Sequence, residues 1–157
     1  MCALFQRVCV VIAQDSLSPP AHVPVFRDAV PNCGSLGGLY TGLREASTSY
    51  IFVAACDMPF LNTNLIKYMV GLKEEADIVV ASWKAQLQPT HAIYSKRCMA
   101  SFEDMIRRQE MKIQDVFQQP SLTVRFMTEN EVSQIDHEGR PFININNPAD
   151  LDAARLL

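Results

Sequence analysis

Residues 50–64 read YIFVAACDMPFLNTN, and this short stretch contains a strand, an acid and the start of a helix. The apolar run from Tyr50 to Ala55 is typical of a strand that is buried on both faces of a parallel sheet. Asp57 comes just after this run, and Asn62 or Thr63 can cap a helix whose apolar face begins at Leu65. The stretch therefore predicts a strand and a helix joined by a turn that carries a carboxylate.

The rest of the chain repeats this alternation of strands and helices. Further strands are predicted at Val8–Ile12, Val23–Phe26, Asp77–Ala81, Gln88–Tyr94 and Leu122–Phe126. Helices are predicted from Leu36 to Leu43, from about Asn62 to Gly71, at Lys96–Gln109, at Ile113–Phe117 and after Pro148. Such alternation predicts an α/β fold with a layered, mostly parallel sheet.

Composition and charge narrow the classes of function. The chain has 157 residues, the length of a single domain, and its net charge of -3 with scattered lysines and arginines argues against a nucleic-acid-binding surface. No apolar run reaches the roughly 18 residues of a membrane span, and the first residues lack a secretory signal. Its five isolated cysteines are expected to be reduced, mostly buried thiols. We therefore expect a cytoplasmic protein that binds small ligands and neither nucleic acid nor membrane.

Polar residues follow three of the predicted strands, namely Gln14, Asp28 and Asp57. Ligands of an open parallel sheet bind beyond the carboxyl ends of its strands, so these three side chains are candidates for one binding site. Asp57 is also the candidate metal ligand, because Mg²⁺ commonly takes only one or two protein carboxylates and completes its shell with water and phosphate oxygens. Taken alone, an acid at a strand end is as readily explained as a turn former or helix cap.

The segment Asn32 to Gly38, NCGSLGG, predicts a loop that leads into a helix. Gly34, Gly37 and Gly38 would let backbone amides approach a ligand closely, and the following helix would offer its positive end. The segment is neither a Walker loop nor a dinucleotide fingerprint, since neither spacing is present. The alternative is that these glycines only permit a tight turn from strand to helix.

Near the C-terminus, Asn144 and Asn146 flank Ile145 and would share one face of an extended segment. The two asparagines either cap the helix after Pro148 and close a turn, or offer their amides to a polar ligand. His91 is equally ambiguous, because it can be a core histidine or a substrate contact.

In this order and spacing, GSLGGLYTGL, AACDMPFL, QPTHAIY and FININNPADL resemble the molybdopterin guanylyltransferase family, the enzymes that join GMP to molybdenum cofactor. The resemblance runs from about Val8 to the C-terminus. It implies a three-layer Rossmann-like nucleotidyltransferase fold within one domain, with residues 1–75 as the half for nucleotide and metal and residues 76–157 as the half for the pterin substrate. It also implies GTP and molybdopterin or molybdenum cofactor as substrates, Mg²⁺ as cofactor, and molybdoenzymes or cofactor-insertion proteins as partners.

The resemblance further assigns roles to the candidate residues. Nucleotide binding falls to Gln14, Asp28, Asp57 and the three glycines at 34, 37 and 38, with Asp57 as the catalytic metal ligand. Pterin binding falls to Asn144 and Asn146, together with His91. Asn147 stands where the family commonly has a threonine and could act as a helix cap.

One element of the family pattern has no counterpart in this sequence. The family begins with a strand and a glycine-rich loop, L-x-G-G-x-S-x-R-M-G followed by a lysine, which wraps the GTP phosphates. The chain resembles a member without this first βα unit, and we expect it to bind GTP poorly. Three alternatives stay open: a cytidylyl or sugar-phosphate nucleotidyltransferase, a non-catalytic binding relative, and an incomplete sequence.

Overall fold

The computed structural model describes residues 4–17 and 22–155. Its strands are β1 (Val10–Ile12), β2 (Val25–Arg27), β3 (Tyr50–Ala54), β4 (Ile78–Trp83), β5 (Gln86–Ser95) and β6 (Val124–Met127). Its α-helices are α1 (Gly34–Glu45), α2 (Thr63–Gly71), α3 (Met99–Arg108), α4 (Glu129–Ser133) and α5 (Pro148–Ala154). Short 3-10 segments lie at Lys73–Glu75, Lys96–Cys98, Ile113–Gln118 and Arg140–Phe142. The predicted mixture of strands and helices is confirmed.

The chain forms two compact units, each assembled from two segments. The first unit contains residues 1–51 and 94–123, and the second contains residues 52–93 and 124–157. The predicted functional halves, 1–75 and 76–157, are continuous stretches instead, and that functional division stays a prediction.

The first unit is built on the parallel pair β1 and β2, in which Val11 lies opposite Phe26. Helix α1 buries Leu36, Leu39 and Leu43, the residues whose helical spacing predicted it. On α3, Phe102 and Met105 are buried. Together with Tyr94, whose ring centroid lies 5.8 Å from that of Phe102, these side chains form the core of the unit.

The second unit contains most of a four-stranded sheet with the order β3-β5-β4-β6. Strands β4 and β6 are parallel, with Ile78 opposite Val124. Strand β5 runs antiparallel to β3, because hydrogen bonds join Ala55 to Thr90 and Ser49 to Lys96, in opposite chain directions. The predicted parallel-rich α/β class is confirmed, with β5 as the strand that reverses direction.

Several smaller expectations can be compared with the structure. The side chain of Asn62 caps α2 by accepting hydrogen bonds from the backbone amides of Asn64 and Leu65, at 2.9 and 3.2 Å, as predicted. Of the four described cysteines, Cys33 and Cys98 are buried while Cys9 and Cys56 are exposed, so the expectation of mostly buried thiols is only half right; Cys2 lies outside the described residues. No helix within residues 4–17 and 22–155 is long and apolar enough to cross a membrane.

Candidate functional site

A cavity of about 610 Å³ lies in the first unit, beyond the carboxyl ends of β1 and β2. Because the two strands are parallel and in register, the residues that follow them emerge at the same edge of the sheet. The cavity is lined by Val11, Ile12, Ala13, Gln14, Asp15, Asp28, Pro31, Asn32, Gly34, Ser35 and Gly38. Four of the residues predicted to bind nucleotide, Gln14, Asp28, Gly34 and Gly38, are thus brought together.

Asp28 is the most deeply buried polar group of this cavity. Only 8% of the residue is exposed, and Oδ1 has no hydrogen-bond partner. Burial raises the pKa of the Asp28 carboxyl above its ordinary value. The backbone of Asp28 is held firmly, because its amide donates to the Ile12 carbonyl at 2.9 Å and its carbonyl accepts from Gln14 Nε2. The fold therefore buries an acceptor oxygen of a cavity-lining residue without a hydrogen-bond partner.

The three predicted glycines have different surroundings. Gly34 begins α1 and lines the cavity, and Gly38 faces the acid, since a Cβ added there would lie 3.6 Å from Asp28 Oδ1. Gly37 is buried instead, and a Cβ added there would lie 3.1 Å from both Cys33 Cβ and the Val30 carbonyl oxygen. A Cβ at Gly37 would also lie 3.6 Å from Asp28 Oδ2, so this glycine permits close packing beside the acid, and its role in ligand binding stays a prediction.

Sequence reasoning missed the role of Arg27 in shaping this cavity. Its guanidinium Nη1 donates to the carbonyl oxygens of Gln14 and Ser16, at 2.5 and 3.0 Å. These bonds hold the loop that follows β1 and so hold the Gln14 side chain near Asp28. An arginine that directly ends a short strand was the only available signal, and it does not reveal such contacts.

In the second unit, Asp57 and the two predicted asparagines lie on adjoining segments. The amide of Ile145 donates to the carbonyl oxygen of Asp57 at 2.8 Å. Ile145 is half-buried while Asn144 and Asn146 are exposed, which confirms the predicted alternation although this segment is not a regular strand. Within the described part of the chain, neither asparagine side chain makes a hydrogen bond. Both amides are therefore available to a ligand beside Asp57.

Asp57 has the property expected of an incomplete cation site. The residue is half-buried, and its Oδ1 is inaccessible and has no hydrogen-bond partner. The described residues contain no cluster of three His, Cys, Asp or Glu side chains that could hold a metal ion alone. A single unsatisfied carboxylate fits Mg²⁺ bound mainly through water and phosphate oxygens, and it does not fit a closed structural metal site.

The predicted capping role belongs to Asn147. Its Oδ1 accepts from the Asp150 amide at 3.0 Å, and the Asp150 carboxylate accepts from the amides of Asn146 and Asn147, at 2.9 and 3.2 Å. This reciprocal pair begins α5 in the manner of a capping box. Because Asn147 supplies the cap, the side chains of Asn144 and Asn146 are not needed for that purpose.

His91 lies in the core of the second unit. It is 0% exposed, and its ring meets those of Phe52 and Phe142 edge to face at centroid distances of 5.0 and 5.2 Å. Neither ring nitrogen has a hydrogen-bond partner, and burial lowers the pKa of His91 from 6.5 to about 4. This neutral imidazole packs between aromatic rings, as expected of a core histidine, and a substrate contact at His91 stays a prediction.

The family profile of the MobA-like NTP transferase domain matches residues 1–124. A molybdenum cofactor guanylyltransferase from Desulfosudis oleivorans is 35% identical over 122 residues, which are 77% of this chain and 59% of that protein. The chain spans about six tenths of the length of the curated relatives it matches, with 64% and 59% in two cases.

Solved structures of other proteins are also similar to this chain. Molybdopterin-guanine dinucleotide biosynthesis protein A from Archaeoglobus fulgidus has a TM-score of 0.73 and 26% sequence identity, covering 85% of this chain and 67% of that one. The 2-C-methyl-D-erythritol 4-phosphate cytidylyltransferase from Thermus thermophilus has a TM-score of 0.71 at 14% identity, covering 96% of this chain and 81% of that one. At that low identity the second structure shows a shared fold alone.

Proposed function

The chain belongs to the MobA-like NTP transferase domain family, and we propose that it transfers GMP from GTP to molybdopterin or molybdenum cofactor with release of pyrophosphate. The relative from Desulfosudis oleivorans reported above is named for this activity. We further propose that residues 1–75 carry the nucleotide and metal functions and residues 76–157 the pterin function. Cytoplasmic location and contacts with molybdoenzymes or cofactor-insertion proteins belong to the same proposal.

The observation that carries this proposal is the hydrogen bond between the Ile145 amide and the Asp57 carbonyl. It joins the segment of the candidate metal ligand to the segment of the two exposed asparagines, Asn144 and Asn146. A metal-bound phosphate and a polar ring system could therefore be held side by side. An acid in a sealed interior, or one remote from the asparagines, would not support a reaction between these two substrates.

The reaction itself asks the protein mainly for alignment. A phosphate oxygen of the pterin forms a bond to the α-phosphorus of GTP, and the bond from that phosphorus to the bridging oxygen breaks, so that pyrophosphate leaves with the electron pair. The nucleophile is already an anion, and no activated serine or cysteine is required. Asn144 and Asn146 would orient the pterin, while Gln14 and Asp28 would orient the nucleotide.

Asp57 would hold Mg²⁺, and the support for this assignment is its half-buried position just after β3, beside the segment of Asn144 and Asn146. A bound Mg²⁺ ion would supply charge neutralisation of the phosphates. Because Oδ1 accepts no hydrogen bond, replacing the side chain removes no hydrogen bond at that atom. Asp57→Ala should therefore retain the fold while losing transfer.

The test incubates the chain with Mg²⁺, molybdopterin and GTP labelled at the α-phosphate, and follows label in a pterin dinucleotide. Transfer should require GTP, fail with CTP, and be lost in Asp57→Ala. Asp115→Asn is the matched control, because it also alters a half-buried acid but lies outside both segments, and it should retain transfer. Unchanged turnover in Asp57→Ala would remove that residue from the mechanism. Product formed only from CTP would favour a cytidylyltransferase, and pterin binding without any transfer would favour a non-catalytic relative.

A further inference from the structure

A second cavity, of about 230 Å³, lies in the second unit. It is formed by the hairpin that joins β4 to β5 and by residues 138–143. Two aromatic residues, Trp83 and Phe142, line it together with polar residues that include Lys84, Gln86 and Gln88. An aromatic surface with a few polar groups is typical of a site for a small ligand. Its described lining contains none of the residues assigned so far to nucleotide, metal or pterin.

The indole of Trp83 is held in place by its neighbours. It lies against the backbone of Gly139, since a Cβ added there would lie 2.0 Å from Trp83 Cε2. Its ring also packs on Phe142 at a centroid distance of 6.1 Å, and Phe142 packs in turn on the fully buried ring of His91. Trp83 is only half-buried, so part of this supported ring is accessible. A ring that is already fixed loses little freedom when a ligand stacks on it.

Two glutamines supply hydrogen-bonding groups beside the indole. Gln86 and Gln88 are two residues apart on β5, and side chains with this spacing share one face of a strand. Within residues 4–17 and 22–155, the Gln86 side chain makes no hydrogen bond, and Gln88 donates one, from Nε2 to the Gln86 carbonyl oxygen at 3.3 Å. Each amide carries two donor hydrogens and an acceptor oxygen. The pair therefore keeps donors and acceptors for a ligand that has both.

The charged groups of the lining favour an anionic ligand. Glu138 forms an ion pair with Arg140, in which Nε lies 2.5 Å from the carboxylate oxygen. Lys84 uses its backbone amide to donate to Glu129 Oε2 at 3.0 Å, but its ammonium makes no ion pair within the described part of the chain. The acid of the lining is thus neutralised while the lysine is not. A negatively charged substituent of a ligand would be attracted to that ammonium.

The cavity lies at the same end of the sheet as Asp57. The amide of Ala55 donates to the Thr90 carbonyl at 3.0 Å, and β3 and β5 are antiparallel. Asp57 and Gln88 are therefore each two residues from this hydrogen bond, in the same direction along the sheet. Ile143 lines the cavity and directly precedes the segment of the two exposed asparagines. Substituents of a ring bound in this cavity would extend towards the candidate metal ligand.

From this geometry we propose that the cavity binds a flat, bicyclic heterocycle by stacking on Trp83, and that in the reaction this heterocycle is the pterin ring. The inference rests on the proposed function, because it names where one of the two substrates is held. It adds Trp83 as a specificity-determining residue. The edge of a pterin offers a 2-amino group and N3–H as donors, with a 4-oxo group and ring nitrogens as acceptors, and the amides of Gln86 and Gln88 complement both kinds of group.

The test is a ¹⁵N NMR titration of the 157-residue chain with pterin, in the absence of metal and GTP. Trp83 is the single tryptophan, so its indole N–H gives one signal. Stacking should shift this signal saturably through the ring current of the pterin. Lumazine, which has an oxo group in place of the 2-amino group, should bind about threefold more weakly or worse. The proposal is overturned if pterin causes no saturable shift of this signal, or if lumazine or guanosine binds here as tightly as pterin.

Variants of the platform are compared by the fluorescence anisotropy of pterin itself. Trp83→Leu should weaken pterin binding about tenfold or more, since stacking of a base on an aromatic ring has an effect of this order. Trp83→Phe keeps an aromatic face and should stay within about threefold of the parent chain. Phe126→Leu is the matched control, because it removes an exposed ring of the same unit that lies outside the lining, and it should bind pterin like the parent chain.

A folded Trp83→Leu chain that binds pterin as tightly as the parent chain would overturn the proposal. If Trp83→Leu does not fold, Gln86→Ala decides, because this exposed side chain has no hydrogen bond to lose within the described residues. A loss of pterin affinity of about threefold or more in Gln86→Ala supports the proposal. Unchanged affinity in that variant overturns it.

These outcomes are separable from failure of the proposed function. Pterin binding that depends on Trp83, in a chain that transfers no GMP, would support the platform and refute the enzyme. Transfer of GMP by Trp83→Leu with an unchanged KM for the pterin substrate would support the enzyme and refute the platform.

Discussion

Acidification should destabilise the fold through His91. The imidazole is fully buried, neither nitrogen is hydrogen-bonded, and its pKa is lowered from 6.5 to about 4. In the folded state the His91 imidazole thus stays neutral over a pH range in which the same residue takes up a proton in the unfolded chain. Stability contributed by the neutral ring is fully present above pH 6.5 and is lost as the pH falls towards 4.

The magnitude follows from the size of the pKa difference. Each unit is equivalent to about 1.4 kcal/mol, so the difference of about 2.5 units amounts to roughly 3 to 4 kcal/mol. Domains of this size are typically stable by about 5 to 15 kcal/mol. Protonation of this one residue could therefore remove a large part of the stability of the protein.

Urea unfolding between pH 7 and pH 4.5, followed by the fluorescence of Trp83, measures this effect. Trp83 is the single tryptophan, and its ring lies 6.1 Å from that of Phe142, which in turn contacts His91. The variant His91→Leu should lose the steep dependence on pH, and the difference between the two proteins cancels all other titrating groups. His137→Gln changes an exposed histidine and should keep the parental slope. If the parent chain and His91→Leu lose stability in parallel below pH 6.5, the reasoning is refuted.

Three further substitutions test individual contacts described by the structure. Asp28→Asn should raise the free energy of unfolding at pH 7, because it removes a buried carboxylate whose pKa is raised by burial, and the gain should shrink as the pH is lowered towards 3.8 in denaturation experiments. Asn147→Ala should destabilise α5 by about 1 kcal/mol, because the helix loses its cap. Faster amide hydrogen exchange in that helix would measure this loss. Gly139→Ala should destabilise the fold by about 2 kcal/mol or more, because φ is +63° and the added Cβ would lie 2.0 Å from Trp83 Cε2; a shift in the Trp83 emission spectrum should accompany the loss. An unchanged midpoint in Gly139→Ala would show that Trp83 can move aside without cost.

Most elements of secondary structure could be predicted because their signals are local. The apolar run at β3 and the cap at Asn62 required no knowledge of distant residues. Helix α4 was missed even though Thr128 and Glu131 have the spacing of a capping box, and the structure contains both of its hydrogen bonds. The helix was missed because its five residues leave almost no periodicity to detect.

The direction of β5 could not be predicted from composition. It follows β4 through a turn at Lys84 and Ala85, whose φ angles are 49° and 58°. Such left-handed pairs usually contain asparagine, aspartate or glycine, and neither residue here is one of them. With no turn signal, both strands resembled members of a parallel sheet, and only the tertiary structure shows the hairpin.

Burial decides which candidate residues can contact a ligand. The burial of individual side chains could not be predicted from the sequence. Of the buried side-chain atoms in the described residues, those without a hydrogen-bond partner belong to Asp28, Asp57 and His91. All three were candidates for the site, but their chemistry differs.

A neutral imidazole between phenylalanine rings can remain unprotonated at pH 7, so His91 needs no partner beyond its packing. A buried carboxyl group can take up a proton, as the raised pKa of Asp28 indicates, but in its ionised form desolvation destabilises the fold unless a donor or a cation offsets it. Asp28 borders a cavity, and the segment of Asp57 adjoins the exposed Asn144 and Asn146, although Oδ1 of each acid has almost no exposed surface. The unsatisfied oxygens of Asp28 and Asp57 therefore motivate the binding roles proposed for these acids, whereas His91 packs against aromatic rings.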